Sequence, residues 1–188
     1  PYLSGERTPH NDPNAKGVFW GMTHDTTAAD LVSSVLEGVS FALLDGLDAV
    51  RSAQKISDTI DVIGGGARSH YWLQLLADVC NVPMAYREGG EIGPSLGAAR
   101  LAALSVHGPS ALKDICSKPK LVKMYHPNPQ KTAEYLIKKE RFQSLYQSMR
   151  SLSVFLLDFC KFHQAHILEQ VLCHIYQLLQ YLNSLLRL

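Results

Sequence analysis

Apolar residues fall into a helical rhythm only after residue 27. Leu31, Val35, Val39, Ala42, Leu43, Leu47 and Val50 recur at three- and four-residue spacing, the stripe of a long helix running to about Ala53. Thr27, with Asp30 three positions on, has the form of a capping box at its start. Upstream, Pro1, Gly5, Pro9, Asn11, Asp12, Pro13, Asn14 and Gly17 set turn formers too densely for a continuous helix. Pro1–Gly21 is therefore expected to be loop, ending in a short strand at Val18, Phe19 and Trp20.

The period then changes. Ile60, Val62 and Ile63 form a short β-branched run broken by Gly64, Gly65 and Gly66, which reads as a buried strand entering a glycine turn. Ser69 stands where it can cap the next helix, whose stripe is Trp72, Leu75, Leu76, Val79 and Cys80. Val82–Tyr86 is a second short strand, with Pro83 marking its beginning or an edge position. A second glycine-rich loop, Glu88 to Pro94, leads into a helix from Ser95 to about His107, Pro94 suiting its first turn. Gly97, Ala98, Ala99, Ala102 and Ala103 on that helix would let a neighbouring backbone come close. Pro109, Pro119, Pro127 and Pro129 mark a connecting stretch, followed by a surface helix from Thr132 to about Arg150.

From Ser151 the pattern shifts again. Ile167, Leu168, Val171, Leu172, Ile175, Leu178, Leu179, Leu182, Leu185 and Leu186 repeat at 3.6 spacing. Gln164, Gln170, Gln177, Gln180 and Asn183 interrupt the run, so the tail reads as an added C-terminal amphipathic helix with a partner or core face, a membrane-surface helix being the alternative, and no transmembrane segment is expected.

Composition narrows the function classes. The 188 residues carry 18 Lys and Arg against 17 Asp and Glu, a formal charge of +1, too balanced for general nucleic-acid binding. Cys80, Cys116, Cys160 and Cys173 are scattered with no CxxC, and so no CxxC with a matching CxxH; no zinc knuckle or redox pair is expected and no metal ligand is assigned. Reduced thiols and the absence of an opening secretion signal point to a cytoplasmic protein.

The chemistry concentrates in Asp61-Val62-Ile63-Gly64-Gly65-Gly66-Ala67-Arg68-Ser69-His70. Glycines after a strand let backbone approach a ligand that a Cβ would push away. The following helix start offers N–H groups and a positive dipole end to a phosphate. A tight turn with no ligand would have the same composition. A dinucleotide-binding oxidoreductase would need G-x-G-x-x-G and a later acid; Gly64, Gly66 and Glu88 comply, but Ser69 stands at the third glycine. A Walker A loop fails because no lysine followed by Ser or Thr closes the run.

Five blocks resemble one family in order. They are Pro1-Tyr2-Leu3-Ser4-Gly5-Glu6-Arg7-Thr8-Pro9, Gly17-Val18-Phe19-Trp20-Gly21-Met22-Thr23, Leu36-Glu37-Gly38-Val39-Ser40-Phe41-Ala42-Leu43, Ile63 through Ser69, and Gly93-Pro94-Ser95-Leu96-Gly97-Ala98-Ala99-Arg100. Together they resemble the carboxy-terminal domain of the FGGY carbohydrate kinases, most of all the members that phosphorylate D-xylulose. The resemblance covers about residues 1–150 and implies part of an α/β actin-like ATPase, ribonuclease-H-like domain. In such kinases sugar and ATP, with Mg²⁺, bind in a cleft between two domains.

Under that resemblance Gly64, Gly65, Gly66 and Ala67 line the ATP side, with Ser69 and His70 near the adenosine. Relatives often carry Asn where His70 stands. Glu6 and Arg7 would face the cleft, or form an exposed turn held by their mutual attraction. Glu37 and Asp45 on the long helix read as solvated or capping charges. The loop around Gly93, with Gly97 and Ala98, would pack under the nucleotide loop. The family's catalytic aspartate and most sugar contacts belong to its other domain, so no catalytic residue is assigned here and the chain alone is expected to be inactive. Residues 151–188 match no family segment; an extension, a dimerisation helix giving a homodimer, or a frameshift product would each fit. A degenerate fragment acting only through partner or self-association is the non-enzymatic alternative.

Overall fold

The computed structural model of the protein describes residues 1–160, with side chains through residue 150. The chain divides into two compact units: Phe19–Phe142 together with Pro1, and Tyr2–Val18 together with the chain from Gln143 onward.

In the first unit α1 spans Ala28–Ala53 and begins as expected, with Thr27 and Asp30 completing a reciprocal capping box. Strand β1 is only Ile60–Asp61. Helix α2 (His70–Cys80) follows, then β2 (Met84–Arg87), α3 (Pro94–His107), the single turn α4 (Leu112–Ile115), β3 (Leu121–Tyr125) and α5 (Pro129–Cys160). The sheet order is β1-β2-β3. β1 runs parallel to β2, with Ile60 opposite Met84, and β3 runs antiparallel to β2, with Tyr125 opposite Met84.

Helix α2 lies against both α1 and the sheet. The core joins Phe41 and Leu44 of α1, Leu73, Leu75, Leu76, Ala77, Val79 and Cys80 of α2, Val82, Met84 and Tyr125. The stripe expected on α2 is thus widened by Leu73 and Ala77, because a helix covered from two sides has no broad solvent face. Its end is closed twice: Asn81 adopts the left-handed conformation at φ 49°, and the Arg51 guanidinium donates to the Cys80 carbonyl at 2.9 Å.

Several expectations are corrected. Val18, Phe19 and Trp20 form no strand, and Trp20 is 75% exposed. The run before the glycines is short and only half-buried, with Ile63 64% exposed. Pro83 leads into the central strand of the three, and its carbonyl accepts the Ile60 amide at 3.0 Å. The proline-marked connection contains a strand, β3. The helix expected from Thr132 starts at Pro129, with Asn128 Oδ1 accepting the Gln130 and Lys131 amides. Its Tyr135 and Phe142 pack on the core. Asp45 is neither solvated nor a cap: it is 4% exposed and ion-paired with Lys139 of α5 at 3.5 Å. No residue of α3 is buried, and a Cβ on Gly97 would meet nothing within 4 Å, so no close backbone neighbour lies there among the described residues.

In the second unit the loop folds back on itself, the Gly5 amide donating to Ala15 O at 3.1 Å and Glu6 pairing with Asp12 through both backbone bonds. The Tyr146 hydroxyl donates to Asp12 Oδ2 at 2.9 Å, and the His10 ring stacks on Tyr146 at 3.9 Å. Through Cys160 the chain remains α5; the amphipathic stripe from Ile167 onward lies outside the described residues. No helix among the described residues is long and apolar enough to cross a membrane.

Candidate functional site

The glycine run makes a tight structure of its own. Gly64 has φ +97°, a value that L side chains rarely adopt. Gly65–Arg68 form one 3-10 turn, in which the Ala67 amide donates to Gly64 O at 3.0 Å and the Ser69 amide to Gly66 O at 3.1 Å.

The second glycine loop lies beside the first. The Gly64 amide donates to Gly90 O at 2.8 Å, a Cβ on Gly90 would sit 3.3 Å from Val62 O, and one on Gly93 would sit 3.7 Å from the Gly64 Cα. This is the expected packing of the loop around Gly93 on the first glycine loop, made by Gly90 and Gly93 rather than by Gly97 or Ala98.

The three glycines differ in what they face. Side chains at Gly64 or Gly65 would meet nothing within 4 Å, whereas a Cβ on Gly66 would fall 2.1 Å from Cζ3 of Trp72. Gly64 and Gly65 therefore present bare backbone outward, and Gly66 is closed off from behind. Ala67 is fully buried and anchors the turn.

Ser69 Oγ accepts the Trp72 amide at 3.2 Å, so the Ser69 hydroxyl caps α2 and satisfies one of the amides that a phosphate would otherwise find free. His70 is exposed at the first position of α2 and its Nδ1 is hydrogen-bonded to the Tyr125 hydroxyl. Burial, then the neighbouring Tyr86, pushes the Tyr125 hydroxyl above its usual pKa, which keeps it a neutral hydrogen-bonding group. The start of α3 is different: Gly93 supplies no side-chain cap and the first turn contains no acid. Glu91 lies beside it and accepts from the Tyr86 hydroxyl at 3.1 Å.

Charges frame the sheet end. The Arg87 guanidinium donates to Asp61 at 2.7 Å and to Pro119 O at 3.0 Å, and Lys118 stands 3.5 Å from the other Asp61 oxygen. Burial pushes the Asp61 pKa up, but the bond and charge of Arg87 with Lys118 outweigh it, leaving the carboxyl below its ordinary range.

The structure thus brings together Gly64, Gly65, Gly66, Ala67, Ser69 and His70 in the first unit. Glu6 and Arg7 belong to the second, where they line an open depression with Ser4, Gly5, Asn11 and Pro13. Glu6 accepts the His10 amide at 2.8 Å, so its carboxylate holds its own turn. Sequence reasoning placed Trp72 in a core stripe and missed Tyr125 altogether. The signal for Tyr125 was available in Leu121-Val122-Lys123-Met124-Tyr125, a short run bounded by Pro119 and Pro127. Among the described residues no group of three or more His, Cys, Asp or Glu converges as a metal site.

A strand, a glycine turn with bare outward backbone and a capped helix can approach a flat or anionic ligand closely. Residues 1–106 match the model of the FGGY family of carbohydrate kinases, C-terminal domain. The chain belongs to that family. It is 46% identical over 152 residues to the xylulose kinase of Escherichia coli (strain K12), covering 81% of this chain and 31% of that protein. The xylulose kinase of Bacillus subtilis (strain 168) is 32% identical over 163 residues, covering 86% and 32%. Among solved structures, a xyloylose kinase from Brucella ovis superposes with a TM-score of 0.71 at 39% identity, covering 81% of this chain and 31% of that one. The fold is the α/β actin-like one of the FGGY sugar kinases, and the chain spans about a third of the length of the curated relatives it matches.

Proposed function

We propose that this FGGY-family chain forms the nucleotide-side wall of the cleft in an ATP-dependent kinase that converts D-xylulose to D-xylulose 5-phosphate. The observation that carries the reading is the outward bareness of Gly64 and Gly65 on a turn braced by a second glycine loop. The names of the relatives support D-xylulose as the sugar.

In this reading Gly64 and Gly65 admit the nucleotide against backbone, Gly66 and Ala67 hold the turn's shape, Ser69 sets the helix start, and His70 stands beside the adenosine, oriented by Tyr125. ATP, when bound, supplies the phosphoryl group, and Mg²⁺ would be held chiefly by its phosphates. The sugar hydroxyl oxygen bonds to the γ-phosphorus as the bond to ADP breaks, and the hydroxyl proton passes to a base. That base is assigned outside these 188 residues, so the chain by itself should turn over no sugar. Residues 1–150 are assigned to the nucleotide-binding domain and 151–188 to a segment without family counterpart.

Calorimetric titration of the chain with ADP and ATP, with and without Mg²⁺, tests the reading. Gly65→Val is the informative variant, because it adds bulk only where space is open. Loss of affinity by about tenfold or more in a variant that keeps its circular dichroism supports the site. Equal affinity in both chains rejects it.

A further inference from the structure

We propose that Trp72 and Ser40 are positioning residues for the glycine turn, coupling the middle of α1 to the backbone that faces the nucleotide. The inference rests on the nucleotide reading above and adds to it two residues that make no contact with the ligand.

Three observations carry it. The six-membered ring of Trp72 closes one side of Gly66, with Cζ3 and Cε3 at 2.1 and 2.7 Å from where a Cβ would stand. The indole Nε1–H donates to Ser40 Oγ at 3.0 Å, and that hydroxyl, fully buried, donates its own proton to Leu36 O at 2.8 Å. Since a serine hydroxyl has one proton, the bond to Leu36 leaves its lone pairs for the indole and fixes the direction of the chain of bonds. Finally, the Trp72 amide donates to Ser69 Oγ and the Ser69 amide to Gly66 O, at 3.2 and 3.1 Å.

Gly66, Ser69 and Trp72 thus form a closed circuit, and Ser40 ties that circuit to α1. The opposite side of the turn, at Gly64 and Gly65, meets no atoms that a side chain would touch. The turn is held by the buried Ala67, by the second glycine loop through the Gly64 to Gly90 bond, and by the Trp72 side. A turn held in its binding shape avoids the ordering cost of closing around a ligand. Removing the Ser40 hydroxyl strands the indole N–H in a buried place and frees the ring to shift, which loosens the turn without altering any group that meets the nucleotide.

Ser40→Ala is the test, with Ser34→Ala as control; Ser34 is exposed on the same helix and its hydroxyl bonds Leu31 O. Hydrogen exchange is read at the Ala67 and Ser69 amides, which close the turn, and at Gly108, whose amide bonds Leu104 O. ADP affinity is measured on the same proteins. A Trp20→Phe background leaves Trp72 as the single tryptophan of the two in the chain, so its emission reports the ring directly.

The expected result in Ser40→Ala is exchange about tenfold faster at Ala67 and Ser69 but not at Gly108, with ADP affinity reduced by a similar factor. Trp72 emission should shift before any nucleotide is added, and Ser34→Ala should change none of these. Unchanged exchange at both turn amides overturns the inference, as does faster exchange with undiminished ADP affinity. Faster exchange in a family of chains none of which binds ADP, the unmutated one included, overturns the nucleotide reading instead and leaves the Ser40–Trp72 brace standing as structure alone.

Discussion

The carboxylate of Asp78 on α2 accepts the backbone amide of Asn128 at 2.7 Å. The same Oδ1 accepts Gln74 Nε2 at 3.0 Å, and the Asp78 carbonyl takes the Thr132 hydroxyl at 2.9 Å. One buried acid therefore joins the central helix to the first turn of α5. Asp78→Ala should destabilise the fold by about 1–3 kcal/mol, since it leaves the Asn128 amide without its acceptor. Asp78→Asn keeps an acceptor oxygen and should lose less. Urea unfolding of the two variants decides this, and equal midpoints would show that the acceptor is not what matters.

Adjacent glycines in the turn should respond oppositely to a methyl group. Gly66→Ala drives a Cβ into the Trp72 ring and should lower stability by about 1–3 kcal/mol, the usual range for overpacking. Gly65→Ala meets open space at an ordinary φ, so it should leave the melting temperature unchanged or slightly raised. Thermal melts of both variants give the comparison.

Cys80 and Cys116 should differ in reactivity. Burial pushes the Cys80 thiol up to about 11, against a downward pull from Arg51, with a further upward push from Asp48 and a downward one from Lys139; Cys116 is exposed. Peptide mapping after alkylation under native conditions should find label on Cys116 and none on Cys80, which reacts only as the chain unfolds. With its folded pKa raised above the unfolded value of 9.0, Cys80 contributes stability that is present below pH 9.0 and fades as pH rises toward 11.

The Asp61–Arg87 pair carries the opposite sign. Because the folded carboxyl sits below its ordinary value of 3.8, its contribution is present above that pH and is lost as pH falls through the lowered value. Asp61 is substantially exposed, so the effect is a small one. Arg87→Met should lower the urea midpoint near neutral pH, and the gap to the unmutated protein should narrow below about pH 4. A residual gap is expected from the lost bond to Pro119 O. A gap independent of pH would show that the ion pair contributes nothing.

Local signals carried the reading of the sequence furthest. Thr27 with Asp30, Ser69 before Trp72 and Pro94 at the start of α3 all act within four residues, and each does in the structure what its spacing implies. Where tertiary context decides, the pattern misled. Val18-Phe19-Trp20 has strand composition but finds no partner strand, and strand residues without a ladder remain loop. Leu121–Tyr125, placed between prolines and carrying a lysine, is a strand because β2 offers an edge to pair with. Asp45 resembles any helix surface acid until Lys139, over ninety residues away, comes to cover it. The glycine turn was visible as chemistry, but the division of labour among its three glycines was not, since that depends on which way the Trp72 ring packs.

The family match ends at residue 106, within the last turn of α3, yet the central strand takes its second neighbour from residues 121–125. A chain stopped at the family boundary would leave one side of β2 with open N–H and C=O groups and would uncover Met84, which faces Tyr125 across the ladder. Bare strand edges of this kind recruit strands from other molecules. The family model is thus shorter than the sheet it contributes to, whereas the similarity to the Escherichia coli xylulose kinase runs over 152 residues, and any shortened version meant to stay monodisperse must reach at least through β3 and the Asn128 amide that Asp78 holds.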